Sequence, residues 1–511
     1  QRHFVVPFFC ALDGRASKMG LTVSRQDTVS STDVRQMNSE THEAEALPLH
    51  VGQRSQMKRL CRIMRSKLQE VSQGKREALQ DCQELAQRLE ALLDDASSRR
   101  GARSSSKELM PQEVKDWLTK QWTESSARLG EDLSPIRGAG ATLRSSRAPF
   151  GPELMEVLDK VGTPDIDVVA VQGQPEVAGN VTTVLFMYTL TNGGVFDQLP
   201  AETLADPMNA ELFQDRLLKF VAAIEQAYLD VPYHNNMHAA DVMMMMHSFL
   251  LSSNMSWISP IEHLMCLMAA VSHDAGHDGV NNMFHVKAQS LVALRYNDKS
   301  VLENMHCALA FELMKENEDL NWLGLMNGAF PPETPGGAPL DLRPHLRRSI
   351  IEMVLVTDPT KHNVLMENLK GLVQAKSLPG SHVSLSDPKQ KQDAFNVLLH
   401  SADVSNATRK LPVALYWSRQ VLLEFWAQGD QEKSLGLEVS PLCDRASGMK
   451  SVPQGQLGFI GFIVRPLFLE LSRLLPEASQ LVEQLGQTEE YWKEKKAVNA
   501  SFEESFALLD R

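Results

Sequence analysis

Three short polar clusters interrupt apolar stretches between residues 231 and 406, and each combines histidine with aspartate. The first cluster, VPYHNNMHAAD, places His234 and His238 four residues apart. The clusters VSHDAGHDGVNN and LLHSADVSN and the stretch VLENMH add His273, Asp274, His277, Asp278, His400, Asp403, Glu303 and His306. Imidazoles at i and i+4 lie on one helix face, and a His-Asp pair at a helix end can direct both side chains into one cavity. We therefore expect one site assembled from three helices.

The side chains in these clusters are typical ligands of divalent cations. Two imidazoles with two carboxylates suit Zn²⁺, and a carboxylate can bridge to a harder ion such as Mg²⁺ or Mn²⁺. Two such ions activate water for in-line attack on phosphorus. One histidine in an apolar helix is more often a buried core residue, but several clusters in one chain are hard to explain as independent accidents. The pattern therefore favours a metal site for phosphate-ester hydrolysis.

The elements around the clusters have a helical period. From residue 150 onward, apolar residues recur at the spacing of amphipathic or buried helices, as in ELFQDRLLKFVAAIEQAYLD and YWSRQVLLEFWAQGD. This pattern predicts an all-α domain over residues 150–511. The stretch VTTVLFMYTL (181–190) is the best candidate for a strand, although a buried helix gives the same pattern.

The first 149 residues differ from this domain in composition. Residues 1–56 are polar and predict a disordered segment, whereas residues 57–97 carry a rough heptad stripe that predicts an amphipathic helix. Residues 98–149 predict a linker with a short helix. The long helix could pair in a homodimer or fold back as a regulatory helix. Its basic stretch QRSQMKRLCRIMRSKLQEV could bind calmodulin or an anionic membrane, although such a run is more often a solvated helix face.

Composition restricts the class of protein. The chain has 511 residues and a net charge of −13, which argues against a general nucleic-acid binder. Six cysteines without a CxxC motif fit a reducing compartment. No apolar run reaches the roughly 18 residues that a membrane span needs. We therefore expect a cytoplasmic protein that associates with membranes only through partners. The chain starts at Gln1, so the sequence leaves open whether an N-terminal targeting signal is missing.

Several long motifs resemble those of the class I cyclic nucleotide phosphodiesterases of eukaryotes. The matching segments run in the family's order over about residues 117–475 and include YHNNMHAADV, HDAGHDGVNN, YNDKSVLENMH, VLVTDPTKH, HSADVSN, EFWAQGDQE, SPLCDR and GQLGFIGFIVRPLF. EVKDWL and GLEVSPLCDR look most like the calmodulin-stimulated branch, whereas YHNNMHAADV and HSADVSN are closer to the cyclic-AMP-specific branch. The branch is left open.

The resemblance implies a compact fold of about sixteen helices that hydrolyses cyclic AMP, cyclic GMP or both to the 5′-nucleoside monophosphate and so ends cyclic nucleotide signalling. A hydroxide activated by two metals would attack phosphorus, with His234 as the general acid. The first metal, expected to be Zn²⁺, would be held by His238, His273, Asp274 and Asp403. Asp274 would bridge to a second ion, Mg²⁺ or Mn²⁺.

The resemblance also assigns residues around the metals and the base. The residues expected around the waters of the second metal are His277, Asn282, Glu303 and His306. The residues expected to contact substrate are Tyr233, Asn406, Val421, Gln456 and Phe459. Among these, Gln456 would bind the purine, Val421 and Phe459 would clamp it, and Tyr233 would line the pocket.

The chain departs from the family at four positions. An acidic residue is usual where this chain has Gly276, which would loosen the surroundings of the metals. Asp278 stands where the cyclic-AMP-specific branch has proline, and its charge could offset the loss. Gly461 stands where aspartate is common, and Pro359 where methionine is frequent. Two alternatives therefore stay open, a phosphohydrolase of linear nucleotides and a catalytically weak or inactive regulatory scaffold of the same fold.

Overall fold

The computed structural model describes residues 4–12, 15–23, 150–177, 179–192, 207–255, 257–326, 342–376, 388–449 and 451–509. The chain divides into two units, Gln1–Glu108 and Leu109–Arg511. In the first unit, strands β1 (Phe4–Leu12) and β2 (Arg15–Val23) pair in antiparallel register. β1 reads FVVPFFCAL, and its β-branched and aromatic residues favour a strand. The disorder predicted for residues 1–56 stays a prediction, and the part of that segment beyond the hairpin lies outside the described residues.

The predicted helix at 57–97 and the linker at 98–149 also lie outside the described residues. The homodimer and the calmodulin contact both depend on that helix, so they stay predictions. Within the described parts of the chain, no helix is long and apolar enough to cross a membrane.

In the second unit, every regular element among the described residues is helical, which confirms the predicted all-α class. The α-helices are α1 (Pro152–Leu158), α2 (Val168–Gln172), α3 (Val181–Asn192), α4 (Pro207–Ala227), α5 (Asn236–Leu250), α6 (Pro260–Ser272), α7 (Asn282–Lys287), α8 (Leu291–Tyr296), α9 (Val301–Glu316), α10 (Arg343–Leu355), α11 (His362–Lys376), α12 (Pro388–Asp403), α13 (Leu411–Ser434), α14 (Arg445–Gly448), α15 (Val452–Phe459), α16 (Arg465–Leu474), α17 (Ser479–Ala497) and α18 (Phe502–Phe506). Ile460–Val464 forms a π-helical turn between α15 and α16.

The strand-like stretch VTTVLFMYTL forms the helix α3. Its residues are buried all round, so no polar face marks a helical period in the sequence. The N–H groups in the first turn of α3 donate to a buried carboxylate of α4. The oxygens of Glu225 lie 2.8 Å from Thr182 N and 3.0 Å from Thr183 N. A negative charge at a helix N-terminus satisfies unpaired donors and complements the helix dipole.

The core lies between α5 and α6, which pack against each other and carry fully buried methionines such as Met243 and Met265. Both helices also hold a histidine in this core. Nδ1 of His247 and Nε2 of His263 are 2.9 Å apart, so the neutral rings share one N–H. Burial lowers the pKa of His247 to about 3 and that of His263 to about 4.

This imidazole pair predicts a loss of stability in acid. The folded-state pKa of each ring is below its unfolded value of about 6.5, so the stabilisation is present above pH 6.5 and is lost as pH falls towards 4. Replacing His263→Gln should reduce the drop in unfolding free energy between pH 7 and pH 5 by about 2 kcal/mol. Urea unfolding of both proteins at pH 7 and pH 5 measures the free energy of unfolding and so gives this drop.

The matched control is His345→Gln, because His345 is exposed on α10. That variant should show the same drop between pH 7 and pH 5 as the unchanged protein. Parallel stability curves for His263→Gln and the unchanged protein would contradict the expected role of the pair.

Candidate functional site

The first polar cluster lies where α5 begins. Asn235 caps the helix, because its side-chain oxygen accepts N–H groups of Met237 at 3.0 Å and His238 at 3.3 Å. His234 therefore lies in the chain before the helix, and His238 in its first turn. The expectation that both share one helix face is wrong, because the cap residue between them is extended. The two ring centroids are 5.7 Å apart at 88°, so the imidazoles face different directions.

The second cluster lies at the end of α6, as expected for an adjacent His-Asp pair. His273 is the C-cap residue directly after Ser272, the last residue of α6, and its Nδ1–H donates to the carbonyl of Ala270 at 2.7 Å. This bond leaves the lone pair of His273 on Nε2. The side chain of Asp274 points to the same space, with Oδ2 3.1 Å from that nitrogen.

Four predicted ligands meet at one point. Single ligand atoms of His238, His273, Asp274 and Asp403 all lie within 4.8 Å of one another, and His238 Nε2 is 3.1 Å from Asp403 Oδ1. His273 Nε2 is fully buried and has no hydrogen-bond partner. It faces carboxylate oxygens at 3.1 and 3.4 Å, so the lone pairs of a neutral imidazole and two carboxylates converge on a point that a proton or a metal cation can occupy. The residues present therefore fit a divalent cation.

The charges agree with this arrangement. Burial opposes ionisation of Asp274 and Asp403, but the neighbouring imidazoles outweigh it and hold the pKa of both carboxyls well below the usual range. Burial likewise opposes charge on His273, but the two carboxylates raise its pKa well above the usual value. The site thus attracts positive charge, and one divalent ion can satisfy all four groups at once.

Three imidazoles are stacked beside these ligands. The ring of His277 lies 3.9 Å from that of His234 and 5.6 Å from that of His306. The N–H of Gly279 donates to Nδ1 of His277 at 3.0 Å, which leaves its proton on Nε2. Burial lowers the pKa of His306 to about 4 and holds the pKa of His277 well below the usual value. Neutral His277 can therefore donate to a water near Asp274, as expected for a residue around a second metal.

His306 approaches the same carboxylate from α9. Its Nδ1–H donates to the carbonyl of Ala275 at 2.8 Å, and its Nε2 lies 3.6 Å from Asp274 Oδ1. Ligand atoms of Asp274, His277 and His306 lie within 4.8 Å of one another, so these residues form a second group in which a cation could lie against Asp274 and its water could accept from His277. Asp274 is common to both groups, which is the arrangement a bridging carboxylate requires.

Asn282 and Glu303 form a separate pair behind this group. The amide nitrogen of Asn282 donates to both carboxylate oxygens of Glu303 at 3.0 Å, and its carbonyl oxygen accepts the N–H of Leu302 at 2.8 Å. Burial raises the pKa of Glu303 to about 7. The pair fixes the start of α7 against α9.

Glu424 on α13 is a site residue to which we assigned no role from the sequence. Its carboxylate accepts the backbone N–H groups of Tyr233 at 2.8 Å and His234 at 3.1 Å, and contacts His234 Nδ1 directly. Burial disfavours a charge on His234, but this carboxylate outweighs the effect and raises the pKa of His234 to about 9. The only signal in the sequence is a glutamate inside the apolar run VLLEFW, because a buried carboxylate requires a partner.

The predicted base-binding residues lie on α13 and α15. The hydroxyl of Ser418 donates to Oε1 of Gln456 at 3.1 Å, which joins the two helices. Val421 is three residues beyond Ser418, and Phe459 is three residues beyond Gln456, so each pair shares a helix face. Ser418, Val421 and Glu424 thus follow one another along α13, with Val421 between the other two around the helix axis.

Tyr233 and Asn406 lie together beside the metal ligands. The amide nitrogen of Asn406 donates to the hydroxyl of Tyr233 at 3.2 Å. The ring of Tyr233 lies 4.6 Å from that of His238 and packs in a small apolar cluster with Trp417 and Val421. Asn406 is therefore held at the edge of the site by the tyrosine.

Two departures from the family pattern have a local explanation. Gly276 has a φ of +78°, and an added Cβ would meet Leu309 at 2.8 Å, so glycine suits this turn. Asp278 pairs with His285 at 3.3 Å, so its carboxylate does not replace the missing acid beside the metal ligands.

Other residues singled out in the sequence lie elsewhere. His400 belongs to the same cluster as Asp403, but its Nε2 faces Nδ1 of His362 at 3.0 Å in the core. Pro359 is exposed at the start of a short 3₁₀ helix, and nothing lies within 4 Å of a Cβ added at Gly461. The structure gives no contact that explains these two substitutions.

Comparison with known proteins identifies related chains. The model of the family described as 3'5'-cyclic nucleotide phosphodiesterase matches residues 233–485. The chain is 34% identical over 288 residues to the probable 3',5'-cyclic-AMP phosphodiesterase pde-4 of Caenorhabditis elegans, covering 56% of this chain and 40% of that protein. It is 38% identical over 267 residues to the dual specificity calcium/calmodulin-dependent 3',5'-cyclic nucleotide phosphodiesterase 1B of Mus musculus, covering 52% and 45%. The chain thus spans less than half the length of these two relatives.

A solved structure shares the fold. The phosphodiesterase domain of the Salpingoeca rosetta rhodopsin phosphodiesterase superposes with a TM-score of 0.56 at 26% sequence identity. The match covers 68% of this chain and 95% of that domain. It extends well beyond the site and so includes most of the helical unit.

Proposed function

We propose that this chain, which belongs through residues 233–485 to the 3'5'-cyclic nucleotide phosphodiesterase family, hydrolyses cyclic AMP and cyclic GMP to their 5′-monophosphates. One observation carries the proposal. A group of four ligands suited to a divalent cation lies beside a histidine whose charge is held by a buried carboxylate. Cyclic phosphodiester hydrolysis needs both parts, a cationic centre for the phosphate and a proton donor for the leaving oxygen.

His238, His273, Asp274 and Asp403 would hold the first cation, which we propose is Zn²⁺ because two imidazoles and two carboxylates suit it. Asp274 would bridge to a second cation, Mg²⁺ or Mn²⁺, beside His277 and His306. When bound, the two cations would neutralise the phosphate oxygens and lower the pKa of the attacking water.

His234 would protonate the leaving 3′-oxygen. With a pKa raised to about 9, its imidazole carries a proton at neutral pH. The carboxylate of Glu424 accepts the backbone N–H of His234 and the proton on its Nδ1. The Nε2–H of the ring is therefore free to donate to the substrate. The side chain is 23% exposed, whereas His238 and His273 are almost fully buried, so His234 is the imidazole that a substrate can reach.

The base would lie between Val421 and Phe459 and bond to the amide of Gln456. The partner of that amide is a serine hydroxyl, which can donate to Oε1 or, after rotation, accept from Nε2. Ser418 can therefore satisfy either orientation of the amide. This freedom supports the use of both purines, because adenine and guanine present different donors and acceptors to the glutamine.

Replacing Gln456→Ala should raise KM for both cyclic nucleotides by about 10- to 100-fold and lower kcat much less. Each lost hydrogen bond contributes about 0.5–1.5 kcal/mol, and base contacts are made equally in the ground and transition states. Steady-state kinetics with cyclic AMP and cyclic GMP measure it. Gln454→Ala is the matched control, because Gln454 is exposed on the same helix. An unchanged KM in Gln456→Ala would show that the glutamine does not contact the base.

One assay tests the proposed function against the alternatives. The purified chain is incubated with cyclic AMP, cyclic GMP or a nucleoside triphosphate in the presence of Mg²⁺ or Mn²⁺, and the products are identified. We expect 5′-monophosphates from the two cyclic nucleotides and no product from the triphosphate. Turnover of the triphosphate alone would indicate a phosphohydrolase of linear nucleotides. No turnover of either cyclic nucleotide would leave the inactive scaffold as the better description.

A further inference from the structure

The hydroxyl of Tyr228 lies at the C-terminal end of α6, where the backbone hydrogen bonds of the helix stop. Tyr228 directly follows α4, is 4% exposed, and lies against the last turn of α6. Its hydroxyl donates to the carbonyl of Val271 at 3.1 Å. The same oxygen accepts the backbone N–H of Asp274 at 3.3 Å. One hydroxyl thus connects two backbone groups that are three residues apart.

These bonds replace those of a continuing helix. In an uninterrupted α-helix the N–H of Asp274 would donate to the carbonyl of Ala270, four residues earlier. Here that carbonyl accepts Nδ1–H of His273 instead, and the N–H of Asp274 turns to Tyr228. The chain therefore leaves the helix at its C-cap His273, before Asp274. Adjacent side chains in a helix diverge by about 100°, so this departure is what lets both point to the same cation.

We propose that Tyr228 is a positioning residue of the metal centre, whose hydroxyl holds the backbone of Asp274 so that its carboxylate turns into the site beside His273. The inference rests on the proposed function, because Asp274 is the carboxylate shared by both candidate cation groups. Tyr228 contacts neither the cations nor the substrate in this assignment. Burial raises the pKa of its hydroxyl well above the usual range, so the hydroxyl remains a donor over the working pH range.

The test removes the hydroxyl and keeps the ring. Tyr228→Phe should weaken the affinity of the metal-stripped full chain for Zn²⁺ and Mn²⁺ by about 10- to 100-fold, the usual effect of removing a group that orients a metal ligand. Calorimetric titration with each metal alone measures this without any assay of activity. With cyclic AMP at low Mn²⁺ concentration, kcat should fall by a similar factor, and added Mn²⁺ should restore part of it. KM should change little, because the base site is on other helices.

The chain offers a matched control. Tyr491 is another buried tyrosine, and its hydroxyl donates to the carbonyl of Ser505 at 2.9 Å between α17 and α18. Tyr491→Phe removes the same chemical group from a place outside the site. It should lower the melting temperature about as much as Tyr228→Phe does, with metal affinity and kcat unchanged. All measurements are made at a temperature at which both variants are folded by circular dichroism.

The outcomes separate the inference from the proposed function. If both variants lower only the melting temperature and retain metal affinity within about twofold, Tyr228 is a structural residue and the inference is wrong. If the unchanged protein hydrolyses no cyclic nucleotide, the proposed function fails, but the metal titrations still decide the role of Tyr228. If Tyr228→Phe does not fold, Tyr228→His replaces it in the titrations, because the shorter imidazole keeps a ring but cannot bridge Val271 and Asp274 as the hydroxyl does. Unchanged metal affinity in that variant would also overturn the inference.

Discussion

Replacing Asp403→Ala should release the cation of the first group and abolish hydrolysis at every substrate concentration. Asp403 lies at the end of α12 and supplies the carboxylate that faces both His238 and His273. Without it, two buried imidazoles and one carboxylate remain, so the cation loses one of its four protein ligands and is held more weakly. The fall in kcat should be at least as large as the 10²–10³-fold that follows loss of one donor from an oxyanion hole.

Elemental analysis and kinetics together check this expectation. Zinc and other transition metals are measured in the purified variant, and hydrolysis of cyclic AMP is measured with added Mg²⁺ or Mn²⁺. Asp393→Ala is the matched control, because Asp393 lies on the same helix and accepts the amide of Asn368 at 3.0 Å instead of facing the ligands. Undiminished metal in Asp403→Ala, or equal losses in the two variants, would contradict the assignment.

The two histidines of the opening cluster should respond differently to the same change. His238→Ala removes a ligand, so metal content and activity should fall together. His234→Ala should retain the metal, while kcat falls by about 10²–10⁴, the usual contribution of a general acid. The difference follows from their surroundings, because His238 faces Asp403 while His234 is held by Glu424.

The leaving group gives this prediction its sharpest test. A p-nitrophenyl phosphodiester releases a good leaving group that needs little protonation, so losing His234 should slow it far less than cyclic AMP. A role in stability alone would slow both substrates equally. Metal content, melting temperature and kcat of both variants are therefore measured with both substrates.

A competing arrangement is visible in the structure. His234, His277 and Glu424 place one ligand atom each within 4.8 Å of one another, so these three could themselves hold a cation. Loss of metal from His234→Ala, or equal slowing of both substrates, would favour that arrangement. The cluster around α5 would then carry two ligands instead of a ligand and an acid.

The residue types and their spacing were sufficient to predict which side chains gather in the site. His273 and Asp274 were expected at a helix end because adjacent residues cannot share a helical face, and α6 ends there. His234 and His238 were expected on one face, but the sequence pattern did not reveal that Asn235 caps the helix between them. A cap depends on one backbone conformation, which periodicity alone does not determine.

The partners of these side chains were not predictable in the same way. Glu424 is 190 residues from His234, and Tyr228 is 46 residues from Asp274. Such hydrogen bonds depend on how the helices pack, which the spacing of neighbouring residues in the sequence does not determine. Ser418 illustrates the same limit, since a serine in a long helix gives no sign that it orients a glutamine on another helix. Residues 181–190 could not be identified as helical from the sequence for a related reason. They are buried on every side, so no alternation of polar and apolar residues marks a helical period.

The helix α13 also fixes the distance between the residue that contacts Gln456 and the residue that contacts His234. Ser418, which contacts Gln456, and Glu424, which contacts His234, are separated by about 9 Å along the helix axis, given a rise of 1.5 Å per residue. Both ends are tied by hydrogen bonds, so this separation does not adjust to the molecule that binds. Under the proposed function, a cyclic nucleotide whose base contacts the glutamine brings its phosphorus to the imidazole only if it has the matching length. A pyrimidine nucleotide, with one ring in place of two, would leave the phosphorus short of the proton donor. Size discrimination between purine and pyrimidine nucleotides would then follow from the rigidity of a single helix, independently of any hydrogen bond to the base.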